Sequence, residues 1–369
     1  MIPVNRPLLG GNEKKYLCEC IESGWISSEG LFVKRLEENF ARLMGCKYGI
    51  AVCNGSVAID LALAALRIGP GDEVILPTFT IISCAAAIVR AGATPVVVDC
   101  QPDTWNIDPV LVAAKVTSRT KAIMVVHIYG LPVDMDPIIE IARNHRLAII
   151  EDAAEQHGQS YRGRPVGSLG DIATVSFYPN KHITTGEGGM VLTNNEELAQ
   201  RSRDLRNLCF DHDRRFIHNE LGWNFRMSNI QAAIGVAQLE QIEEFLKKKR
   251  KIGSWYQQRL AGHPLLQLPL ERTEYAENIY WVYGVVLNDR VPFDASGAMA
   301  KLKEKGIDSR HFFWPMHLQP VFQKLGLFGD ESCPNAERIA RRGFYLPSGL
   351  GLTESEVDAS AVALKDIIK

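Results

Sequence analysis

Several things are scarce or missing in this sequence, and each removes a class of function. Eight cysteines occur, at Cys18, Cys20, Cys46, Cys53, Cys84, Cys100, Cys209 and Cys333, with no CxxC pair among them. Most sit in apolar segments, so neither a disulfide scaffold nor a metal site is expected, and the chain reads as a reduced, cytoplasmic protein. No lysine or arginine run is long enough to draw it to nucleic acid or an anionic membrane, and the formal net charge is −2. The densest run, Lys247-Lys248-Lys249-Arg250-Lys251, follows Glu243-Glu244 on a helical pattern and reads as a solvated helix face. No apolar stretch is long enough to span a bilayer. The opening, Met1-Ile2-Pro3-Val4-Asn5-Arg6, has the marks of neither a signal nor a transit peptide. Internal repeats and low-complexity segments are missing too. What is present is 369 residues with 46% apolar content, which suits one large domain and a smaller one.

From about residue 48 to 195, strand and helix patterns alternate. Strands are expected at Tyr48–Cys53, Glu73–Leu76, Pro95–Val98, Ala122–Val126 and Ala148–Glu151. Helices are expected between them at Ser56–Leu66, Thr80–Ala91, Pro109–Lys115 and Pro137–Asn144. This order implies an α/β domain with a mostly parallel sheet and helices on both faces. Ala173–Phe177 and Met190–Thr193 read as two further strands with a polar, glycine-rich loop between them. A long helical pattern runs from Ser228 to Leu260, with Gly253 as its expected break. Beyond Pro264 the pattern is that of a smaller α+β unit: strands at Tyr280–Leu287 and Asp308–Phe313, helices at Ala295–Lys305, Ala336–Arg342 and Glu354–Ile368. A first helix is expected at Glu13–Glu22, capped by Asn12 and stopped at Gly24. The expected division is an N-terminal segment 1–30, a large domain 31–250 and a small domain 251–369.

The loop is Ser176-Phe177-Tyr178-Pro179-Asn180-Lys181-His182-Ile183-Thr184-Thr185-Gly186-Glu187-Gly188-Gly189. Alone, Lys181 reads first as a surface lysine in a turn. An amine held in a desolvated loop is also what condenses with the aldehyde of pyridoxal 5'-phosphate. Asp152 strengthens that second reading, because it closes an apolar strand, and ligands of open α/β sheets sit beyond the carboxyl ends of the strands. A buried carboxylate there needs a partner, and a protonated pyridine nitrogen is one. Asn54-Gly55-Ser56 lies between a strand and a helix, where amides and a hydroxyl suit a phosphate, although the same residues serve as an ordinary helix cap. Ser176 is a second hydroxyl for that phosphate or a plain strand residue.

These residues and their surroundings resemble the nucleotide-sugar aminotransferases of the DegT/DnrJ/EryC1/StrS family over nearly the whole length. The markers are Gly24-Trp25-Ile26-Ser27-Ser28, Gly69-Pro70-Gly71-Asp72-Glu73-Val74, Glu151-Asp152-Ala153-Ala154-Glu155, the Lys181 loop, Gly222-Trp223-Asn224-Phe225-Arg226-Met227-Ser228-Asn229 and Pro315-Met316-His317-Leu318-Gln319-Pro320. The resemblance implies the aspartate aminotransferase type I fold, with pyridoxal 5'-phosphate as cofactor and pyridoxamine phosphate in its cycle. It implies that Lys181 bonds the cofactor and shifts the proton, that Asp152 pairs with the pyridinium, and that Glu155 lies against the ring or its hydroxyl. Gly55, Ser56 and Ser176 are implied to bind the phosphate, with Asn224 reaching it from the other subunit of a homodimer. The loop is most like that of the perosamine synthases in this family, which implies L-glutamate as donor and GDP-4-keto-6-deoxymannose as acceptor. A dTDP- or UDP-linked keto sugar aminated at C3 or C4, or a sensor without turnover, are the other readings. Relatives that carry histidine in place of the lysine are dehydratases; here Lys181 is present and His182 follows it, which implies transamination. His127, and the cluster His311, Trp314 and His317, are expected to face the sugar or to serve packing. At the position where many members stack an aromatic on the ring this chain has Ile81, so either Ile81 or Phe79 is expected to cover it.

Overall fold

Each short apolar run between residues 48 and 193 becomes a strand of one sheet. The structure is a computed structural model that describes residues 1–211 and 213–369. Seven strands lie in the order Tyr48–Val52, Gly189–Thr193, Ile172–Ser176, Ala148–Asp152, Thr120–Val126, Glu73–Pro77 and Thr94–Val98. Gly189–Thr193 runs antiparallel to both of its neighbours, and the other pairings are parallel. Side chains alternate between two cores. Ile50 and Val52, Val74 and Leu76, and Ala122 and Met124 join one; Ala51, Ile75, Ile123 and Val125 join the other. A strand buried on both faces has no polar side to alternate with, which is why these runs read as continuously apolar.

The parallel strands all end at one edge of the sheet, and the segments that leave that edge carry Asn54, Gly55 and Ser56, then Asp152, then Ser176. Glu151, one residue before the edge, is buried and ties it down. Its carboxylate accepts from the amides of Gly167 (2.9 Å), Leu169 (2.7 Å) and Gly170 (2.6 Å) and pairs with Nε2 of His127 at 3.2 Å. The turn that feeds the strand Ile172–Ser176 is thereby fixed to the strand that presents Asp152.

The smaller unit is an antiparallel sheet in the order Leu266–Gln267, Tyr283–Leu287, Gly343–Leu346, Arg310–His311. Ala295–Glu304 and Glu354–Ile367 pack on it around a third core. The helix Ile242–Leu260 carries Ile242, Phe245 and Leu246 into a core of the large sheet, and Ile252, Trp255, Tyr256 and Leu260 into the small one.

Three local expectations need correction. The long helical pattern breaks at Glu240–Gln241, not at Gly253, giving Asn229–Leu239 and Ile242–Leu260. Gly253 lies inside the second helix because the Tyr280 ring occupies the space of a side chain: a Cβ there would stand 2.4 Å from it. Asn12 makes no capping bond; its amide nitrogen donates to Glu240 at 2.7 Å, while Glu13 accepts from Gly11 N at 2.8 Å. The helices Leu31–Leu43 and Glu196–Arg206 were not anticipated. The first has a clear apolar stripe in Phe32, Val33, Leu36, Phe40 and Ala41; the second buries only Ala199, Ser202 and Leu205 in an otherwise charged segment.

Glu151→Ala would leave three amides, one buried and two half-buried, without their acceptor. The substitution is expected to cost at least about 3 kcal/mol, read as a lower urea midpoint at unchanged slope; a loss under about 1 kcal/mol would mean that water or another group serves those amides.

Candidate active site

The sheet edge opens into a cavity of about 770 Å³ between the large sheet and the smaller unit. Its floor begins at a helix start. Asn54 caps the helix Gly55–Ala65 by accepting from Val57 N at 3.0 Å. Gly55 is needed there for close approach, since a Cβ would stand 2.7 Å from Cβ of Ser176. Ser56 Oγ lies 2.8 Å from Oγ of Ser83, in the first turn of the helix Ile82–Arg90. Two helix N-termini and three hydroxyls thus line the same cavity, an arrangement that suits a phosphate.

Asp152 stands in the opposite wall and is 4% exposed. Its partners are an amide and a thiol: Ala154 N at 3.1 Å and Cys84 Sγ at 3.3 Å. Burial raises its pKa, and the bonds from Ala154 and Cys84 and the charge of Lys181 work against that rise. A carboxylate buried with only neutral donors is short of a cation, and a protonated ring nitrogen in the cavity supplies one.

Glu155 accepts from Tyr129 N at 2.6 Å and lies 3.7 Å from Nζ of Lys181. Burial pushes its carboxyl up to about 7, Asp152 adds to the rise, and Lys181 and the Tyr129 amide oppose it. Lys181 sits in a turn closed by its own amide on Tyr178 O at 2.9 Å. The loop around it is held by Thr184 Oγ1 donating to Phe177 O (2.8 Å) and Thr185 Oγ1 donating to Glu187 O (2.7 Å). Burial lowers the pKa of Lys181, while Glu155 and then Asp152 hold it up. The ring of Trp281 faces its Nζ at 3.8 Å, and Nε1 of Trp281 donates to Asn180 O at 2.8 Å. His182 turns the other way, into the interior, where its ring lies 5.7 Å from that of His157 and burial keeps it neutral.

Gly55, Ser56, Asp152, Glu155, Ser176 and Lys181 therefore share one cavity. Of the other expected site residues, Asn224, His127, His317 and Trp314 do not line it in this chain. Asn224 is exposed and bridges Asn207. His127 is fully buried, accepting from Val133 N at 3.0 Å on Nδ1 and facing Glu151 with Nε2, so both ring nitrogens are taken by structural partners. His317 is likewise engaged, with Thr78 Oγ1 at 2.7 Å and Glu337 at 3.3 Å. Trp314 donates to Leu318 O at 3.2 Å, outside the cavity lining. Of Ile81 and Phe79, Ile81 lines the cavity, whereas Phe79 is 0% exposed among Tyr129, Phe312 and Phe313. Of the cluster His311, Trp314 and His317, only His311 lines the cavity. Sequence reasoning missed Ser83, Trp281, Arg310 and Tyr345, which also line it. Ser83 stood in the first turn of an expected helix and was legible as a hydroxyl there; the other three come from distant segments with no local signal.

Among the described residues no group of three histidine, cysteine, aspartate or glutamate side chains is placed to hold a metal ion. Among them, too, no helix is long and apolar enough to cross a membrane. The model of the DegT/DnrJ/EryC1/StrS aminotransferase family matches residues 7–365. The chain is 45% identical to the GDP-perosamine synthase of Caulobacter vibrioides, over 100% of this chain and 98% of that one. It is 41% identical to the GDP-perosamine synthase of Escherichia coli O157:H7, covering 96% and 95%. Among solved structures, the aminotransferase TlmJ from Streptoalloteichus hindustanus superposes with a TM-score of 0.93 at 31% identity, covering 99% and 98%.

The raised carboxyl of Glu155 has a signed consequence for the protein without cofactor. A group whose folded pKa lies above its unfolded value contributes stability that is present below the unfolded pKa and lost as pH rises through the folded one. Between about pH 4.5 and 7, the native protein is expected to lose on the order of a few kcal/mol relative to Glu155→Gln. Urea midpoints of both proteins across that range check this, and a constant difference between them would show that the carboxyl is not raised.

Proposed function

The chain belongs to the DegT/DnrJ/EryC1/StrS aminotransferase family, and we propose that it moves the amino group of L-glutamate to the 4-keto carbon of GDP-4-keto-6-deoxymannose, giving GDP-perosamine. It is a pyridoxal 5'-phosphate-dependent aminotransferase with the fold of that class. The observation that carries the reading is the Lys181 amine, enclosed by Glu155 and Trp281 in a cavity whose walls are Asp152 and a hydroxyl-lined helix start. The acceptor follows from the two relatives named for that product.

The residues fit the cofactor on chemical grounds. Asp152 is buried beside the cavity without a cation bonded to it, and Gly55, Ser56, Ser83 and Ser176 form a cradle in which a Cβ on Gly55 has no room. When bound, pyridoxal 5'-phosphate supplies an aldehyde for amine exchange and a ring that accepts the electron pair of the reacting carbon. Asp152 would pair with the ring nitrogen of the bound group. Ser56, Ser83, Ser176 and the amides at Gly55 would hold its phosphate. Lys181 would hold its aldehyde end through Nζ, and that same atom would take up and return a proton. Burial favours its neutral form, the form that attacks and accepts a proton. Glu155, titrating near neutrality 3.7 Å away, is placed to exchange that proton with it. Ile81, which lines the cavity, would give the ring aliphatic contact. L-glutamate leaves as 2-oxoglutarate.

The active unit is a homodimer in this reading, with the partner's copy of the exposed loop around Asn224 completing the phosphate site. Trp223 and Phe225, stacked at 5.3 Å on either side of Asn224, stiffen that loop. The large domain 31–250 carries the cofactor, the small domain 251–369 closes the cavity, and 1–30 is a separate N-terminal segment. The eight free cysteines fit a reducing cytoplasm.

The purified protein is expected to be yellow with cofactor and to bleach on addition of L-glutamate. Its pyridoxamine phosphate form, offered GDP-, dTDP- and UDP-linked keto sugars, is expected to aminate the GDP-linked 4-keto sugar. Lys181→Ala is expected to lose at least about 10²-fold in repeated turnover; several cycles at the native rate, or amination of another sugar alone, would overturn the corresponding part of the reading.

A further inference from the structure

One buried cation has no part in the site as described so far. Lys249, on the helix Ile242–Leu260, is 2% exposed. Its Nζ donates to the carbonyl oxygens of Trp281 and Ser348, each at 2.6 Å. Both acceptors are neutral, so the charge is poorly compensated, and burial brings its pKa down to about 7 with the charge of Lys181 adding to the fall. A methionine of similar length would fill this space without that desolvation cost. What the amine adds is direction, two N–H groups aimed at two carbonyls.

One of those carbonyls belongs to the residue whose ring faces Lys181. One turn along the same helix, Gly253 leaves room for the ring of Tyr280. Tyr280 takes the left-handed conformation, φ 48, and its amide is held by Asn278 Oδ1 at 2.7 Å. The backbone of 280–281 is thus gripped from one helix face by Lys249 and Gly253, and the Trp281 indole projects from that grip to Lys181 and to Asn180 O.

We propose that Lys249 is a positioning residue for Lys181: it fixes the Trp281 backbone, and the indole in turn holds the Lys181 amine in the cavity. This rests on the reading of Lys181 as the amine that bonds the cofactor's aldehyde. The titratable groups that act electrostatically with Lys249 are Lys181 and His182. A direct charge effect of Lys249 on Lys181 is the competing route, and only the route through Trp281 needs the indole.

The test mixes cofactor-free protein with pyridoxal 5'-phosphate and follows aldehyde capture by absorbance across pH, with borohydride reduction and peptide mapping to identify the bonded lysine. Native protein, Lys249→Met, Trp281→Ala and the double variant form a cycle. Lys249→Met is expected to slow capture at neutral pH by at least about tenfold and to move its pH midpoint up by about one unit, as Lys181 becomes wetter. In the Trp281→Ala background the same change is expected to alter the rate by less than about twofold. Equal effects in both backgrounds, or no effect in the native background, would overturn the inference. Should Lys249→Met not fold by circular dichroism, Lys249→Gln goes through the same cycle and is read the same way. If the native protein captured the aldehyde elsewhere than at Lys181, the cofactor reading itself would fail; capture at Lys181 with additive effects would sink only the role of Lys249.

Discussion

An amine enclosed away from water, with one carboxylate 3.7 Å from it and an aromatic ring 3.8 Å on another side, is the arrangement on which the rest of this structure depends. Desolvation lowers the pKa of Lys181 and raises that of Glu155, so the two shifts bring the pair toward each other. That suits the role proposed for Lys181, nucleophile and then proton carrier at neutral pH. The arrangement is costly to hold, because neither group has full compensation, and the surrounding fold supplies the rigidity that keeps it in place.

The two sides of the site are built differently. On the sheet side, parallel strands deliver Asp152 and Ser176 to one edge, and Glu151 locks the turn behind them with three amide bonds. On the other side, Trp281 comes from the smaller unit, and its position is set by a helix that contributes to the cores of both units. A site assembled between two such bodies gains a water-poor cavity at their junction, which strengthens the electrostatic differences within it.

The parallel sheet was legible because strands buried on both faces leave short apolar runs separated by helical patterns, as at Ala122–Val126. Asp152, Gly55 and Ser56 stand at a strand end and a helix start and Lys181 in the loop between two strands; singly each has an ordinary structural reading, and together they suggested a ligand site. Resemblance to a family then joined them. The helix Glu196–Arg206 escaped notice because its buried face is three small or single apolar residues. Gly253 misled because a glycine inside a helix ordinarily signals a break, whereas here the ring of Tyr280, twenty-seven residues on, fills the space of its side chain. His127 and His317 drew attention as histidines near strand ends and in a family motif; their ring nitrogens are occupied by Glu151, Val133, Thr78 and Glu337.

The sequence by itself determined the class of fold and pointed to Lys181, Asp152, Gly55, Ser56 and Ser176, which the structure brings to one cavity. Tertiary structure alone decided what encloses the lysine. Trp281 lies one hundred residues from Lys181, Arg310 and Tyr345 further still, and Lys249 meets Trp281 at its backbone carbonyl. It also decided that Ile81 and not Phe79 faces the cavity, because Phe79 finds its partners in Phe312 and Phe313 across the junction between the two units. Periodicity records which side of an element is buried; it carries no record of which distant side chain lies against it.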